Sequence, residues 1–240
     1  MSAADRESIR YDPPLIVPWS AVGLMAIAFI LLGLATRGPN TLAIDLEVSI
    51  WVQQWSGPVG ETIAEIGNFL GEATLGLSLL AIAWVGFALL RRRRELWFTL
   101  ILAIERLIAT QLKDLLDSPR PSSDQVRHVG TFEHWGFPSG HVTTAALSLG
   151  AIAWTIARFF PAINLRLLGI LWAIGVATCA WARIWYGAHW FSDAIGGALA
   201  GAIFVALASN LSFALTRADR ATFRRRSPAQ TPPPSPPPTG

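Results

Sequence analysis

Six apolar stretches, separated by polar or basic segments, dominate the pattern of the chain. A membrane-spanning helix needs roughly 20 mostly apolar residues. The stretches that approach this length are Pro18–Thr36, Thr74–Leu90, Leu96–Leu116, Val142–Phe160, Leu167–Ala182 and Trp190–Leu215. The second is stopped by "RRRR" at residues 91–94. This pattern predicts an all-α, polytopic membrane protein, built as a bundle of six transmembrane helices.

The third stretch is the least apolar because Glu105 and Arg106 lie inside it. A charge at the centre of a bilayer costs on the order of 3 kcal/mol on insertion scales unless it faces the interior of a bundle. Arg106 and Lys113 are seven residues apart and therefore share one helical face. We interpret this as one polar face turned inward, with Glu105 and Arg106 forming a structural pair within the bundle.

Composition agrees with the membrane assignment and excludes some function classes. Hydrophobic residues make up 52% of the 240 residues and charged residues 15%, whereas about 25% charged residues is usual in soluble domains. The net charge is only +3, which does not favour a nucleic-acid binder. The single cysteine, Cys179, cannot form an internal disulfide, and its apolar surroundings predict a buried, small hydrophobic side chain.

The segments outside the stretches complete the domain organisation. Residues 1–17 are polar and lack the pattern of a cleaved signal peptide, so they are predicted to be cytoplasmic and to precede a retained first helix. Residues 18–215 form the membrane domain. Residues 216–240 are basic and then proline-rich, which is typical of a disordered cytoplasmic tail. Residues 41–73 mix Trp51, Trp55 and several acids with apolar residues, and are predicted to be interfacial or re-entrant.

The distribution of Lys and Arg predicts the orientation. With a cytoplasmic N-terminus, inside segments hold 13 of these residues and outside segments hold 5, while Arg106 lies within the third stretch. The positive-inside rule therefore places both termini in the cytoplasm. The outer side then carries every histidine of the chain: His128, His134, His141 and His189.

Three polar motifs also fall on the outer side. They are "KDLLDSPRP" with Lys113 and Arg120, "PSGH" at Pro138–His141, and "ARIWYGAHWFSD" with Arg183, His189 and Asp193. Three cationic side chains at one membrane face indicate a binding site for a multiply charged anion. The planar guanidinium group of Arg, with its fork of N–H donors, matches the oxygens of a phosphate. The start of a helix at "SGH" adds free backbone N–H groups. Gly140 permits a close approach and the Ser139 hydroxyl can donate, so a phosphate cradle is predicted.

The third motif supplies a nucleophile. His189 and Asp193 are four residues apart and share a face on a helical turn. Asp193 can accept from one ring nitrogen, which leaves the other nitrogen of His189 free to attack phosphorus. His141 can protonate the leaving alkoxide as a general acid. Two His and one Asp could instead bind zinc, but Lys113, Arg120 and Arg183 would repel a metal ion, so neither a metal nor a cofactor is predicted.

These motifs resemble those of the type 2 phosphatidic acid phosphatase (PAP2) superfamily of membrane lipid phosphatases. The family pattern is Lys-x6-Arg-Pro, Pro-Ser-Gly-His and Ser-Arg-x5-His-x3-Asp, and here Ala182 stands where the family usually has Ser. The resemblance implies a metal-independent phosphatase with an extracytoplasmic active site. It implies His189 as the nucleophile and His141 as the acid, with Asp193 beside His189. The phosphate ligands that it implies are Lys113, Arg120, Ser139, Gly140 and Arg183.

Several readings of the function stay open. Phosphatidic acid, phosphatidylglycerol phosphate, polyprenyl pyrophosphate and lipid A all present a phosphate that the cradle could hold. A phosphotransferase with an acceptor other than water, or a phosphate-binding transporter, would also use the cations, and Glu105 and Arg106 would suit a transporter. The expected partners are a lipid phosphate and the bilayer, with no nucleic acid and no obligate protein partner. His128 and His134 are interpreted as solvated loop residues.

Overall fold

The computed structural model describes residues 15–38, 42–132 and 135–226, without the side chains at 109, 110, 112–115 and 219–226. These residues form helices and connecting loops, with no strand among them. The helices are α1 (Trp19–Ala35), α2 (Ala43–Gln53), α3 (Pro58–Leu70), α4 (Ala73–Leu89), α5 (Arg93–Leu116), α6 (Gly140–Phe159), α7 (Leu165–Trp185) and α8 (Phe191–Arg226). The prediction of an all-α fold is confirmed for this part of the chain.

All six apolar stretches lie on helices, but not all of these helices qualify alone as membrane spans. Within the described residues, α6, α7 and the Phe191–Ala218 part of α8 are long and apolar enough to cross a membrane. Helices α3 and α4 meet the same test only together, as a pair bent by 44° that forms a broken span or a re-entrant loop. Helix α1 is apolar but has 17 residues. Six crossings therefore stay a prediction.

Residues 42–72, which are the described part of the predicted interfacial segment before α4, contain α2 and α3, and both helices pack against α7. On α3, Gly60, Ala64 and Gly67 are buried and lie on one face. A side chain at Gly67 would collide with the Thr178 carbonyl oxygen on α7, so the small residues permit close packing of the two helices. The buried residues of α2 are Asp45, Ser49 and Val52, which share one face. Polar groups of α2 are thus turned into the protein.

Helices α6 and α8 form the centre of the bundle. A Cβ on Gly201 of α8 would lie 2.5 Å from the Cβ of Ala146 on α6. Further along α6, the Trp154 ring stacks on Phe98 of α5 with 3.8 Å between centroids, and its indole N–H donates to Ser209 Oγ at 2.8 Å. Cys179 is buried in an adjoining apolar cluster, as predicted. This packing holds the first turns of α6 and α8 side by side.

The last helix is longer than predicted. Helix α8 continues to Arg226, whereas we expected disorder from residue 216. The sequence between residues 216 and 226 contains Ala and Arg, which favour helix, and neither Gly nor Pro. The proline-rich remainder of the tail and residues 1–14 lie outside the described residues. Of the predicted N-terminal segment, Val17 is tied to α8, because its N–H and carbonyl bond the amide of Asn210.

Candidate active site

The three motifs meet at one end of the bundle, where α5 and α7 end and α6 and α8 begin. The N–H of Ser139 donates to the main-chain oxygen of Asp193 at 3.0 Å, which joins the second motif to the third. Arg120 Nη1 donates to the Ala188 carbonyl at 2.6 Å and lies 3.2 Å from His189 Nε2, which joins the first motif to the third. Residues far apart in sequence are therefore brought into direct contact.

A tight turn between α7 and α8 presents His189. The N–H groups of Ala188 and His189 both donate to the Arg183 carbonyl, at 3.0 and 3.2 Å. Gly187 has φ +70, and a side chain there would collide with the carbonyl oxygen of Arg127. Glycine is required at this position because the left-handed backbone and the close approach both exclude a Cβ. The turn thus places a histidine that is only 2% exposed at the start of α8.

Both ring nitrogens of His189 have a hydrogen-bonding partner. Nδ1 lies 3.2 Å from Asp193 Oδ2, and Nε2 lies 3.2 Å from Arg120 Nη1. A guanidinium group only donates, so Nε2 must accept and Nδ1 carries the proton that faces the carboxylate. Asp193 is fully buried, and its Oδ2 also accepts the N–H of Trp190 at 3.0 Å. The contacts fix the ring in the tautomer whose Nε2 lone pair is turned toward a cation.

The two arginines of the motifs share one aromatic neighbour. The Phe132 ring lies 5.9 Å from the Arg120 guanidinium carbon and 5.6 Å from that of Arg183. Burial lowers the pKa of Arg120, and the negative charge of Asp193 partly offsets this effect. Arg183 is buried, and its Nη1 donates to Asn68 Oδ1 at 2.6 Å. The Phe132 ring and the neutral Asn68 amide thus stabilise two positive charges, those of Arg120 and Arg183, that lie near each other.

Ser139 Oγ and Arg183 Nε are buried polar atoms of the site that have no hydrogen-bond partner among the described residues. Ser139 is 0% exposed. Ser139 precedes α6 as its N-cap residue but makes no side-chain capping bond. Buried donors are rarely left without an acceptor. Both groups are therefore available to an oxygen-rich ligand.

The remaining predicted site residues lie around this centre. Gly140 and His141 are the first two residues of α6, beside Ser139. His141 is half-buried and packs against the end of α3, since a Cβ on Gly71 would lie 2.7 Å from the Cβ of His141. Lys113 belongs to the last turn of α5, and its side chain is not among those described. Its role, like that of His141, stays a prediction.

The structure also bears on three interpretations from the sequence. His128 lies in a loop, as expected, but is half-buried there: its ring meets Phe132 edge-on at 5.9 Å and its Nε2 is buried. His134 lies outside the described residues. Glu105 and Arg106 do not pair, because neighbouring helical residues point in different directions. Arg106 Nε instead donates to Thr144 Oγ1 at 2.9 Å, and Glu105 Oε2 has no hydrogen-bond partner in the part of the chain that the structure describes.

Several residues that support the site were not predicted from the sequence. Asn68 contacts Arg183, Phe132 contacts both arginines, and Asp45 accepts two hydrogen bonds from Ser192 at the start of α8. Asp45 and Asn68 belong to α2 and α3, which come 70 residues or more before the third motif. No local pattern signals such contacts. Among the described residues, no group of three or more His, Cys, Asp or Glu is arranged to hold a metal ion.

The fold and the site define a helical membrane protein with a buried His–Asp pair beside clustered arginines. The family model of the PAP2 superfamily matches residues 94–217, which is more than half of the chain and includes all three motifs. The chain belongs to the PAP2 superfamily, as the motif resemblance implied. The matched region comprises most of α5 and the three helices that follow, but neither α2 nor α3.

Individual relatives agree with this assignment. The chain is 26% identical over 131 residues to phosphatidylglycerophosphatase B of Bacillus subtilis (strain 168), a match that covers 53% of this chain and 63% of that protein. The aligned region thus spans less than two thirds of the relative's length.

Solved structures share the fold. The crystal structure of a transmembrane PAP2 type phosphatidylglycerolphosphate phosphatase from Bacillus subtilis matches with a TM-score of 0.65 and 21% identity, over 86% of this chain and 98% of that one. Aquifex aeolicus LpxE matches with a TM-score of 0.53 and 20% identity, over 72% and 96%. The spanning helices and the transmembrane PAP2 fold identify the chain as an integral membrane protein.

Proposed function

We propose that this protein is a membrane phosphatase that removes the terminal phosphate from a lipid phosphate or pyrophosphate through a phosphohistidine intermediate. The observation that carries the proposal is the position of His189 between Asp193 and Arg120. Asp193 holds the proton on Nδ1, so Nε2 carries the lone pair, and Arg120 places a positive charge beside that lone pair. A phosphoryl group attracted by the cation would lie next to the attacking nitrogen.

The reaction follows from this arrangement in two steps. In the first, His189 Nε2 bonds to phosphorus, and the bond between phosphorus and the leaving oxygen breaks. The leaving oxygen keeps the electron pair and takes a proton from His141. Asp193 stabilises the ring, which becomes positively charged as it accepts the phosphoryl group. In the second step water attacks phosphorus, His141 takes a proton from it, and the bond to Nε2 breaks to release inorganic phosphate.

The cationic groups and the unpaired donors would stabilise the transferred group. Charge grows on the equatorial oxygens, and Lys113, Arg120 and Arg183 would compensate it. Ser139 Oγ and the backbone around Gly140 would donate to the same oxygens, which agrees with the absence of a partner for that hydroxyl. No metal enters the proposal because the arginines supply the positive charge and one of them already faces Nε2.

Location and relatives narrow the substrate class. The helix ends would place the site near the depth of lipid head groups, and the distribution of Lys and Arg favours the extracytoplasmic side. The relative matched in sequence is named a phosphatidylglycerophosphatase, so phosphatidylglycerol phosphate is the first substrate to test. Phosphatidic acid and a polyprenyl pyrophosphate belong in the same panel, because the cradle contacts only the phosphate.

The test is release of inorganic phosphate from this panel by the purified protein with EDTA present. We expect turnover that persists in EDTA and falls to background in His189→Ala. Asp124→Ala is the control, since this exposed acid lies in the loop on the same side but outside the proposed chemistry. A requirement for a divalent metal, or turnover by His189→Ala, would overturn the mechanism. A new phosphorylated product in place of free phosphate would indicate a phosphotransferase.

A further inference from the structure

Helix α2 contacts both the start of α8 and the loop that carries Arg120, although it lies outside the region matched by the family model. Its residue Asp45 is 1% exposed, and both of its carboxylate oxygens face Ser192 on α8. Oδ1 accepts the Ser192 N–H at 2.7 Å, and Oδ2 accepts the Ser192 hydroxyl at 2.8 Å. The two residues are 147 positions apart, so this is a tertiary contact between an outer helix and the central one.

This contact completes the start of α8. The first N–H groups of a helix have no acceptor within the helix, and Trp190, which precedes α8, has no side-chain oxygen to cap it. Asp193 accepts the N–H of Trp190, and Asp45 accepts that of Ser192. A negative charge at this end is also favourable because of the helix dipole. The carboxylates of Asp193 and Asp45 thus each accept a free N–H group at the start of α8, and the carboxylate of Asp193 also orients His189.

The other end of α2 holds the loop that carries Arg120. The Gln53 amide pairs with the main chain of Arg127: Nε2 donates to the carbonyl at 2.8 Å, and Oε1 accepts the N–H at 3.0 Å. The same Nε2 lies 3.2 Å from the Trp185 carbonyl at the end of α7. Gln53 therefore joins the loop to the helix that carries Arg183, with Arg120 and Phe132 on either side of the joined point.

The packing of α2 couples its two contacts, the one made by Asp45 and the one made by Gln53. Val52 is buried in an apolar cluster with Ala182 and Trp185 of α7, and Val48 and Phe191 pack against that cluster. Asp45 and Gln53 are eight residues apart on a single helix, which is about 12 Å along its axis. A displacement of α2 would therefore move the start of α8 and the Arg120 loop together.

We infer that α2 is the positioning element of the active site, with Asp45 aligning the His189–Asp193 pair and Gln53 aligning the loop of Arg120. The inference rests on the proposed phosphatase function for its kinetic consequences. Neither residue contacts the reacting atoms, so both are positioning residues. A small misplacement of a reacting group costs up to about 100-fold in rate, and loss of the Asp45 anchor acts on the nucleophile.

The kinetic test separates the two ends of α2. Asp45→Ala is expected to lower kcat about tenfold or more, with KM within about twofold of wild type, because the phosphate ligands stay in place. Gln53→Ala is expected to raise KM about fivefold or more and also to lower kcat, because it loosens the loop of Arg120, which holds the phosphate and compensates the charge that grows on it. The matched controls are Glu47→Ala, at an exposed residue of α2, and Gln54→Ala, at the exposed residue that follows the helix. Both changes should leave kcat and KM unchanged.

A second readout does not depend on turnover. The His189 Nδ1–H proton, assigned by its loss in His189→Ala, can be followed by nitrogen-15 NMR of the full chain in nanodiscs. We expect Asp45→Ala to shift or broaden this resonance and Asp45→Asn to keep it, because the amide oxygen still accepts the Ser192 N–H. Should Asp45→Ala fail to fold, Ser192→Ala removes the hydroxyl bond alone and should move the resonance in the same direction.

The outcomes are distinguishable. A wild-type protein without turnover would defeat the proposed function, and the NMR comparison would still decide the role of Asp45. Wild-type kcat together with an unmoved His189 resonance in Asp45→Ala would overturn the inference. An equal loss of activity in Glu47→Ala would also overturn it, since the effect would then not require the buried contact.

Discussion

Replacing Asp193 by Asn tests the orientation of His189 most directly, because the change conserves shape and removes one charge. In the wild type, Oδ2 accepts from both His189 Nδ1 and the Trp190 N–H. An amide that keeps the Trp190 bond has an oxygen at this position but no charge. An amide turned the other way places NH₂ against Nδ1, which forces the ring proton onto Nε2, where Arg120 also donates. Either arrangement weakens or blocks the nucleophile.

The magnitude follows from the loss of the correct tautomer and of the charge that stabilises the imidazolium. A comparable change at the Asp of a hydrolytic triad lowers kcat by about 10⁴. At about 1.36 kcal/mol per factor of ten, this corresponds to roughly 5.4 kcal/mol of transition-state stabilisation. We expect a loss of about 10³ to 10⁴ in kcat for Asp193→Asn, with KM changed by less than about threefold, because the phosphate ligands are untouched.

The assay is steady-state release of phosphate from phosphatidylglycerol phosphate, with thermal unfolding measured on the same preparation. Asp124→Asn is the control, because it neutralises an exposed acid in the loop on the same side. An activity of Asp193→Asn within tenfold of wild type, in a protein with an unchanged melting temperature, would refute the role of Asp193 in holding the tautomer.

Three further changes probe the surroundings of the arginines. Asn68→Ala removes the hydrogen-bond partner of the buried Arg183 guanidinium. A hydrogen bond to a charged group contributes about 1.5–3 kcal/mol, so KM for the lipid should rise about tenfold or more, and kcat should fall as well because Arg183 compensates charge in the transition state. Phe132→Leu removes the ring beside both arginines and should raise KM several-fold, about 0.5–1 kcal/mol for each cation–π contact. Gly187→Ala should abolish turnover and lower the melting temperature by several degrees, because a Cβ collides with the Arg127 carbonyl at a positive φ.

Each of these changes has a matched comparison. Asn164→Ala removes a side-chain cap at the opposite end of α7 and should lower stability without raising KM. Phe132→Tyr keeps an aromatic face and should keep KM near wild type. Gly86→Ala adds a methyl group where nothing lies within 4 Å and should be tolerated. An unchanged KM in Asn68→Ala, or full activity in Gly187→Ala, would contradict the site geometry.

Much of the fold could be predicted from the sequence because hydropathy is a local property. Each of the six apolar stretches lies on a helix, and the limits differ by a few residues at most, except at α8. The polar segment after the first helix was harder to interpret. Its apolar residues face α7 and α8 rather than a bilayer alone, and a mixed composition does not reveal which neighbour will cover it.

The chemistry of the site is also largely local in sequence. His189 and Asp193 are four residues apart, with His189 in the turn before α8 and Asp193 in the first turn of that helix, and their side chains lie 3.2 Å apart. Ser139 and Gly140 stand directly at the start of α6. Only the tertiary structure decided that Arg120 faces His189 Nε2, that Phe132 lies beside both arginines, and that Asp45 caps α8. These contacts join positions tens of residues apart, and they arise from how whole helices pack. A linear pattern therefore specifies the reacting groups, while packing specifies what holds them in place.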